Sequence, residues 1–178
     1  MSSAVAMADI GTPSRLSSLE LGAVVALCGS GALLVGALGF QYLGGYPPCS
    51  LCYWQRYGHV AVMALAWLAL MPLGRSVRLA FLSLAGLALL VTAGLAVYHV
   101  GVEWKWWSGP AACTAPSFVG KTAQEVRRLL MGTTTITRCD EIVWSLLGLS
   151  MAGWNAVISA ALGGWVLGKT WRVAPRAA

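Results

Sequence analysis

The sequence predicts an all-α integral membrane protein: a four-transmembrane-helix bundle with two extracytoplasmic Cys-bearing loops. Three observations predict it. Of the 178 residues, 58% are apolar and only 10% charged, whereas soluble domains carry about a quarter charged residues. The apolar residues gather in four runs, each at or above the roughly 20 residues needed to cross hydrocarbon. The chain also holds 21 Gly and 9 Trp, a composition that suits membrane helices with interfacial aromatic rings. Disorder and a water-soluble enzyme are both excluded. The formal charge of +6 does not point to nucleic acid, because no basic run exceeds Arg127-Arg128.

The first run covers about residues 19–43. It is longer than a signal-peptide core and no polar mature domain follows it, so it is expected to remain as the first span. The others cover about 53–73, 79–100 and 142–168. With no water in the bilayer to satisfy backbone groups, such runs must be helices, since a barrel needs short alternating strands. Residues 1–18 read as a cytoplasmic N-terminal tail, 19–168 as the membrane domain and 169–178 as a cytoplasmic C-terminal tail.

Four spans put both termini on one side. The connectors are 44–52, 74–78 and 101–141, and the first and last of these lie on the opposite face. Arg75 and Arg78 occupy the five-residue turn, and Lys169, Arg172 and Arg176 the tail, while the nine-residue first loop has no cation. By the density of cations near span ends, the termini are cytoplasmic. In the long loop, Trp104, Trp106 and Trp107 suit the headgroup level. Thr122-Ala123-Gln124-Glu125 reads as a capping box opening a short amphipathic helix to about Met131.

Of five cysteines, Cys28 lies within span one and reads as a small hydrophobe. Cys49 and Cys52 sit in the first outer loop, and Cys113 and Cys139 in the second. All four face one compartment, which on this topology is oxidising, so two bridges are expected. Cys49-Ser50-Leu51-Cys52 is a closely spaced, readily exchanged dithiol. Pro47 and Pro48 discourage helix before it, placing Cys52 at or just before the first turn of span two, where the helix dipole favours a thiolate. Arg56 is one turn further on the same face and favours it too. Intramembrane arginine is a functional signal by default, although one so near the end could simply snorkel to headgroups. His59 reads as an interfacial hydrogen-bond donor without a role in chemistry.

A Cys113–Cys139 bridge would close a loop of 27 residues and contribute about 3.5 kcal/mol of stability in the chain-entropy model. Beside an exchangeable dithiol, a relay of two electrons between pairs is the better reading. Zinc bound by four cysteines is disfavoured, since the second pair lacks the Cys-x-x-Cys spacing. Attachment of c-type haem requires His after the second Cys, where Tyr53 stands. Four cysteines allow three pairings, and the residues alone leave them open.

The sequence resembles the disulfide bond formation protein B (DsbB) family over about residues 19–168. The features are four spans, Pro-Cys-x-x-Cys in the first outer loop, Gln55-Arg56 opening span two, and Tyr98-His99 ending span three. To these are added a distant Cys pair with an acidic residue after Cys139, and Gly148-Leu149-Ser150-Met151 with Trp154 in span four. The resemblance implies a thiol oxidase of the bacterial inner membrane, with its Cys loops periplasmic. It would reoxidise a periplasmic DsbA-like dithiol oxidase and pass two electrons to the membrane quinone pool, ubiquinone or menaquinone. It further implies that Cys113 is attacked by the reduced partner, that Cys139 then attacks Cys49, and that Cys52 is left as a thiolate in contact with the quinone. Arg56 would stabilise both thiolate and quinone oxygen, and His99 would line the same pocket; Gln55 receives no role. A partner with a potential near about −120 mV cannot be recharged downhill by an ordinary dithiol, which favours a quinone acceptor.

The vitamin K epoxide reductase family uses similar parts, but its Cys-x-x-Cys follows the loop pair, whereas here it comes first. A thiol oxidase dedicated to one client would share every residue named. A scaffold merely stapled by two structural disulfides is the alternative from another class. Movement of the long loop at Gly109-Pro110 and Gly132 would bring Cys139 to Cys49.

Overall fold

The computed structural model describes residues 16–110, 113, 122–124, 127 and 137–173. Four long helices account for most of them. Helix α1 (Ser18–Tyr42) opens on a capping box in which Ser17 Oγ accepts from the Glu20 N–H and Glu20 accepts from the Ser17 N–H. Helix α2 (Ser50–Leu70) begins at the cysteine motif, and α3 (Arg75–Glu103) follows a short turn. A two-stranded antiparallel hairpin, β1 (Ser145–Leu146) and β2 (Leu149–Ser150), precedes α4 (Met151–Val173).

The hairpin corrects the predicted start of span four at 142. Its two-residue turn places Leu147 and Gly148 at φ of 53° and 81°, the positive pair that a tight hairpin requires. Ser150 ends it and caps α4, accepting from the Gly153 N–H at 3.1 Å. The second helix also starts three residues before the expected 53, with Cys49 as its N-cap, because the Cys49 sulfur accepts from the Cys52 N–H at 3.4 Å. The third extends beyond 79–100 at both ends.

Helices α3 and α4 pack side by side, α2 packs on α3, and α1 on α2. Their contacts rest on small residues, which let membrane helices approach. A Cβ placed on Gly163 of α4 would lie 3.1 Å from the Gly86 carbonyl of α3. The core is Leu82, Leu89, Val62 and Val166 filled in by alanines such as Ala23, Ala66 and Ala85. Large apolar side chains, among them Val35, Val60, Trp67, Val91 and Trp171, face outward, as suits a surface solvated by lipid. Cys28 is likewise exposed.

Among the described residues three helices, α1, α3 and Met151–Arg172 of α4, are long and apolar enough to cross a membrane. Helix α2 is not one of them; it carries Gln55, Arg56 and His59, so the expected count of four apolar spans is met by three. One end of the bundle is tied by Arg78, which donates to the Ala69 carbonyl at 2.8 Å and meets Glu20 at 3.4 Å. The cysteine motifs gather at the other end. In the long loop Ala123, Gln124 and Arg127 are helical. Most of the expected helix to Met131, Gly132, residues 1–15 and 174–178 lie outside the described residues.

Candidate functional site

The site is assembled from the N-terminus of α2, the C-terminal turns of α3, the N-terminus of α4 and the loop around Cys139. Cys113 and Cys139 are bridged, while Cys49 and Cys52 are free thiols with their sulfurs 3.0 Å apart. Cys49, Cys113 and Cys139 are all buried and form one cluster with Leu51 and Val102, against which Cys52 and Tyr98 pack. The two pairs therefore meet, although one is distant from the other in the chain; of the two bridges expected from the sequence only Cys113–Cys139 is formed, and Cys49 and Cys52 stand as a dithiol.

The loop is held there by charge. Arg138 grips Asp140 with two hydrogen bonds of 2.9 and 2.8 Å, and Lys105, just past α3, donates to the Asp140 carboxylate at 2.5 Å and to its carbonyl at 2.7 Å. Arg138 first, then Lys105, holds the Asp140 carboxyl well below the usual carboxylate range. Trp107 stacks on Tyr98, with ring centroids 5.7 Å apart, and donates from its indole to the Tyr98 carbonyl at 2.9 Å.

Arg56 does not reach outward past the end of α2. Its guanidinium donates to Gln41 Oε1 at 2.5 Å and to the Ala37 carbonyl at 3.0 Å, binding the last turns of α1 to α2. Beside it lies a cavity of about 370 Å³, walled by α1 residues including Ala32, Leu33 and Phe40, by Trp144 and Leu146, and by Cys49, Cys52, Arg56, His99 and Glu103. Phe40 and Trp144 meet across one side of it, with ring centroids 4.8 Å apart. An apolar pocket with a few convergent polar groups is the form of a small-molecule site.

His99 is buried, its Nε2 3.6 Å from the Cys49 sulfur and its Nδ1 3.0 Å from Gln55 Nε2. His59, expected at an interface, is instead buried, with Ser30 Oγ 3.3 Å from Nδ1 and Asn155 Oδ1 2.9 Å from Nε2. Burial of the ring is why both nitrogens are partnered. Glu103 closes the site, accepting from Ser150 Oγ at 2.5 Å and lying 4.0 Å from His99 Nε2.

Gln55, Glu103, Ser150 and Asn155 were given no role on sequence grounds. Asn155, polar within an apolar run, was the available signal. Ligand atoms of Cys49, Cys52 and His99 lie within 4.8 Å of one another and could together hold a thiophilic metal. The Cys113–Cys139 bridge removes the other two sulfurs from the four-cysteine zinc site considered above.

Residues 20–168 match the family model described as disulfide bond formation protein DsbB. A protein of Xanthomonas campestris pv. campestris named disulfide bond formation protein B is 34% identical over 141 residues, covering 76% of this chain and 80% of its own length. Proteins of the same name from Alkalilimnicola ehrlichii and Verminephrobacter eiseniae are 32% and 31% identical, covering 74% and 85% of this chain and 80% and 82% of theirs. No solved structure matches the chain.

Proposed function

Because this chain belongs to the DsbB family of disulfide bond formation proteins, we propose that it is a membrane thiol:quinone oxidoreductase that reoxidises a DsbA-like dithiol oxidase. The observation that carries this reading is the meeting of one bridged pair and one dithiol in a single buried cluster beside an apolar cavity. A stapled scaffold has no use for an unbridged Cys49–Cys52 pair at that place.

In the proposed cycle a thiolate of the reduced partner attacks Cys113. The Cys113–Cys139 bond breaks, and Cys139 leaves as a thiolate. Cys139 attacks Cys49 of an oxidised Cys49–Cys52 pair, releasing Cys52 as a thiolate at the cavity wall. Cys113 then recloses on Cys139 once the partner's second thiol has displaced it, and Cys49 is freed. The net transfer is two electrons and two protons from the partner dithiol to the Cys49–Cys52 pair. A bridged loop pair over a reduced dithiol is the stage at which those electrons wait beside the cavity.

A quinone is a flat apolar ring with two acceptor oxygens, and the cavity offers apolar walls with the Arg56 cation and Cys52 at one side. The residues fit such a group. Arg56 and His99 would hold it, and once bound it supplies the oxidant that recloses the dithiol. Helix α2, packed between α1 and α3, is assigned as the fourth span within a membrane domain of residues 19–168. Both termini are assigned to the cytoplasm and both Cys loops to the periplasm of a bacterial inner membrane.

The test is quinone reduction by purified protein in detergent with a reduced Cys-x-x-Cys partner. Wild type is expected to turn over and Cys52→Ser to be inactive. No turnover by folded wild type with several quinones and partners would return the protein to the stapled scaffold.

A further inference from the structure

A line of buried polar side chains crosses the bundle and ends on the dithiol. Ser159 Oγ donates to Asn155 Oδ1 at 2.9 Å, and Asn155 Nδ2 donates to Gln55 Oε1 at 2.6 Å. With its oxygen so engaged, Gln55 has only its amide N–H to present to His99 Nδ1, 3.0 Å away. His99 Nδ1 must then be the bare nitrogen, and the proton sits on Nε2, the atom 3.6 Å from the Cys49 sulfur and 4.0 Å from the Glu103 carboxylate. At the far end Asn155 Oδ1 accepts from His59 Nε2–H, leaving His59 Nδ1 to accept from Ser30 Oγ. All four helices contribute, and every hydrogen bond runs in one direction, from Ser30 to Cys49. Aligned bonds of this kind polarise one another.

We infer that Asn155 and His59 are positioning residues for the dithiol: acting through Gln55, they hold the His99 ring with its Nε2–H toward the Cys49 sulfur. An N–H there stabilises negative charge on Cys49 when it is released from Cys139. Their role presupposes the thiol-oxidase function proposed above, but the tautomer itself does not.

The chain contains two histidines, so full-length protein in detergent, labelled with heavy nitrogen in histidine alone, gives a spectrum from which each tautomer is read without quinone or partner. Wild-type His99 is expected as the single Nε2–H form. In Asn155→Leu the bias is expected to be lost, with turnover down about tenfold, the worth of one hydrogen bond. His59→Leu should act in the same direction, and His59→Gln, whose amide N–H can still donate to Asn155, should restore the tautomer and the turnover. Protonation of His99 on Nδ1 in wild type overturns the inference. So does an unchanged His99 tautomer with unchanged turnover in folded Asn155→Leu or His59→Leu. Absence of wild-type turnover would count against the function alone, since the nitrogen spectrum is independent of it.

Discussion

Arg56 is the side chain whose replacement separates the two halves of the proposed reaction. Its two hydrogen bonds come from different nitrogens and fasten Gln41 and Ala37 of α1, the helix that forms the apolar wall of the cavity. A hydrogen bond to a charged group is worth about 1.5–3 kcal/mol, and a half-buried group belongs at the lower end. Arg56→Lys keeps the charge but can make only one of the two bonds well, so up to about 1.5 kcal/mol of the fastening of the α1 wall is lost, which sets an upper bound of about tenfold on the fall in kcat/KM for quinone. Arg56→Ala loses both bonds, about 3 kcal/mol, together with the charge, so at least about a hundredfold loss is expected. Reduction of a short-chain quinone, followed by absorbance at varied quinone concentration, measures both. Opening of the Cys113–Cys139 bridge by the reduced partner, followed by alkylation and gel shift, should remain at the wild-type rate. The reasoning is refuted if both variants use quinone as wild type does, or if the loss falls on the partner exchange step instead.

Other consequences concern the loop, its clamp and the helix crossing. Cys139→Ser should leave Cys113 free to capture the partner, giving no relay to Cys49; the variant incubated with an oxidised partner should accumulate a mixed disulfide on a non-reducing gel, and Cys113→Ser should not. Asp140 is held below the usual carboxylate range by Arg138 and Lys105. Its contribution is therefore full above about pH 3.9 and lost as pH falls through the lower folded value. Because the group is exposed, Asp140→Asn should lower the thermal midpoint only slightly at pH 7, and the gap should close in strong acid; a gap that persists there contradicts the clamp. Gly163→Ala places a methyl 3.1 Å from both the Gly86 carbonyl and Leu89 Cβ, and overpacking of this kind costs about 1–3 kcal/mol. Unfolding in mixed detergent should show that loss, whereas Gly164→Ala, which meets nothing within 4 Å, should not.

Much of this was legible in the chain because membrane spans are written in length and apolarity. The first helix was expected over 19–43 and occupies Ser18–Tyr42. The dithiol at the head of α2 followed from Pro47-Pro48 and the spacing of Cys49 and Cys52. The hairpin at 145–150 was hidden because Val143, Leu146, Leu147 and Leu149 continue the hydrophobicity of the next helix, interrupted only by Ser145 and by no charge. Only Gly148 marked a turn, and a single glycine is common in membrane helices. The polar line was hidden for a different reason. Ser30 and Asn155 are each an isolated polar residue in an apolar run, His59 follows Gln55-Arg56 on another helix, and nothing in one dimension says that the three share an interior. Glu103, inside the connector expected over 101–141, is the last residue of α3 because the helix runs on past His99 and carries the carboxylate back to Ser150.

The most direct measurement is the stoichiometry of the overall reaction in one sample: partner thiols lost against quinone reduced, in detergent under anaerobic conditions. One new disulfide in the partner for each quinone consumed is the expected result, with the Cys49–Cys52 and Cys113–Cys139 pairs unchanged at the end. Partner oxidation without quinone consumption, or quinone consumption that continues in Cys52→Ser, would contradict electron transfer through this site.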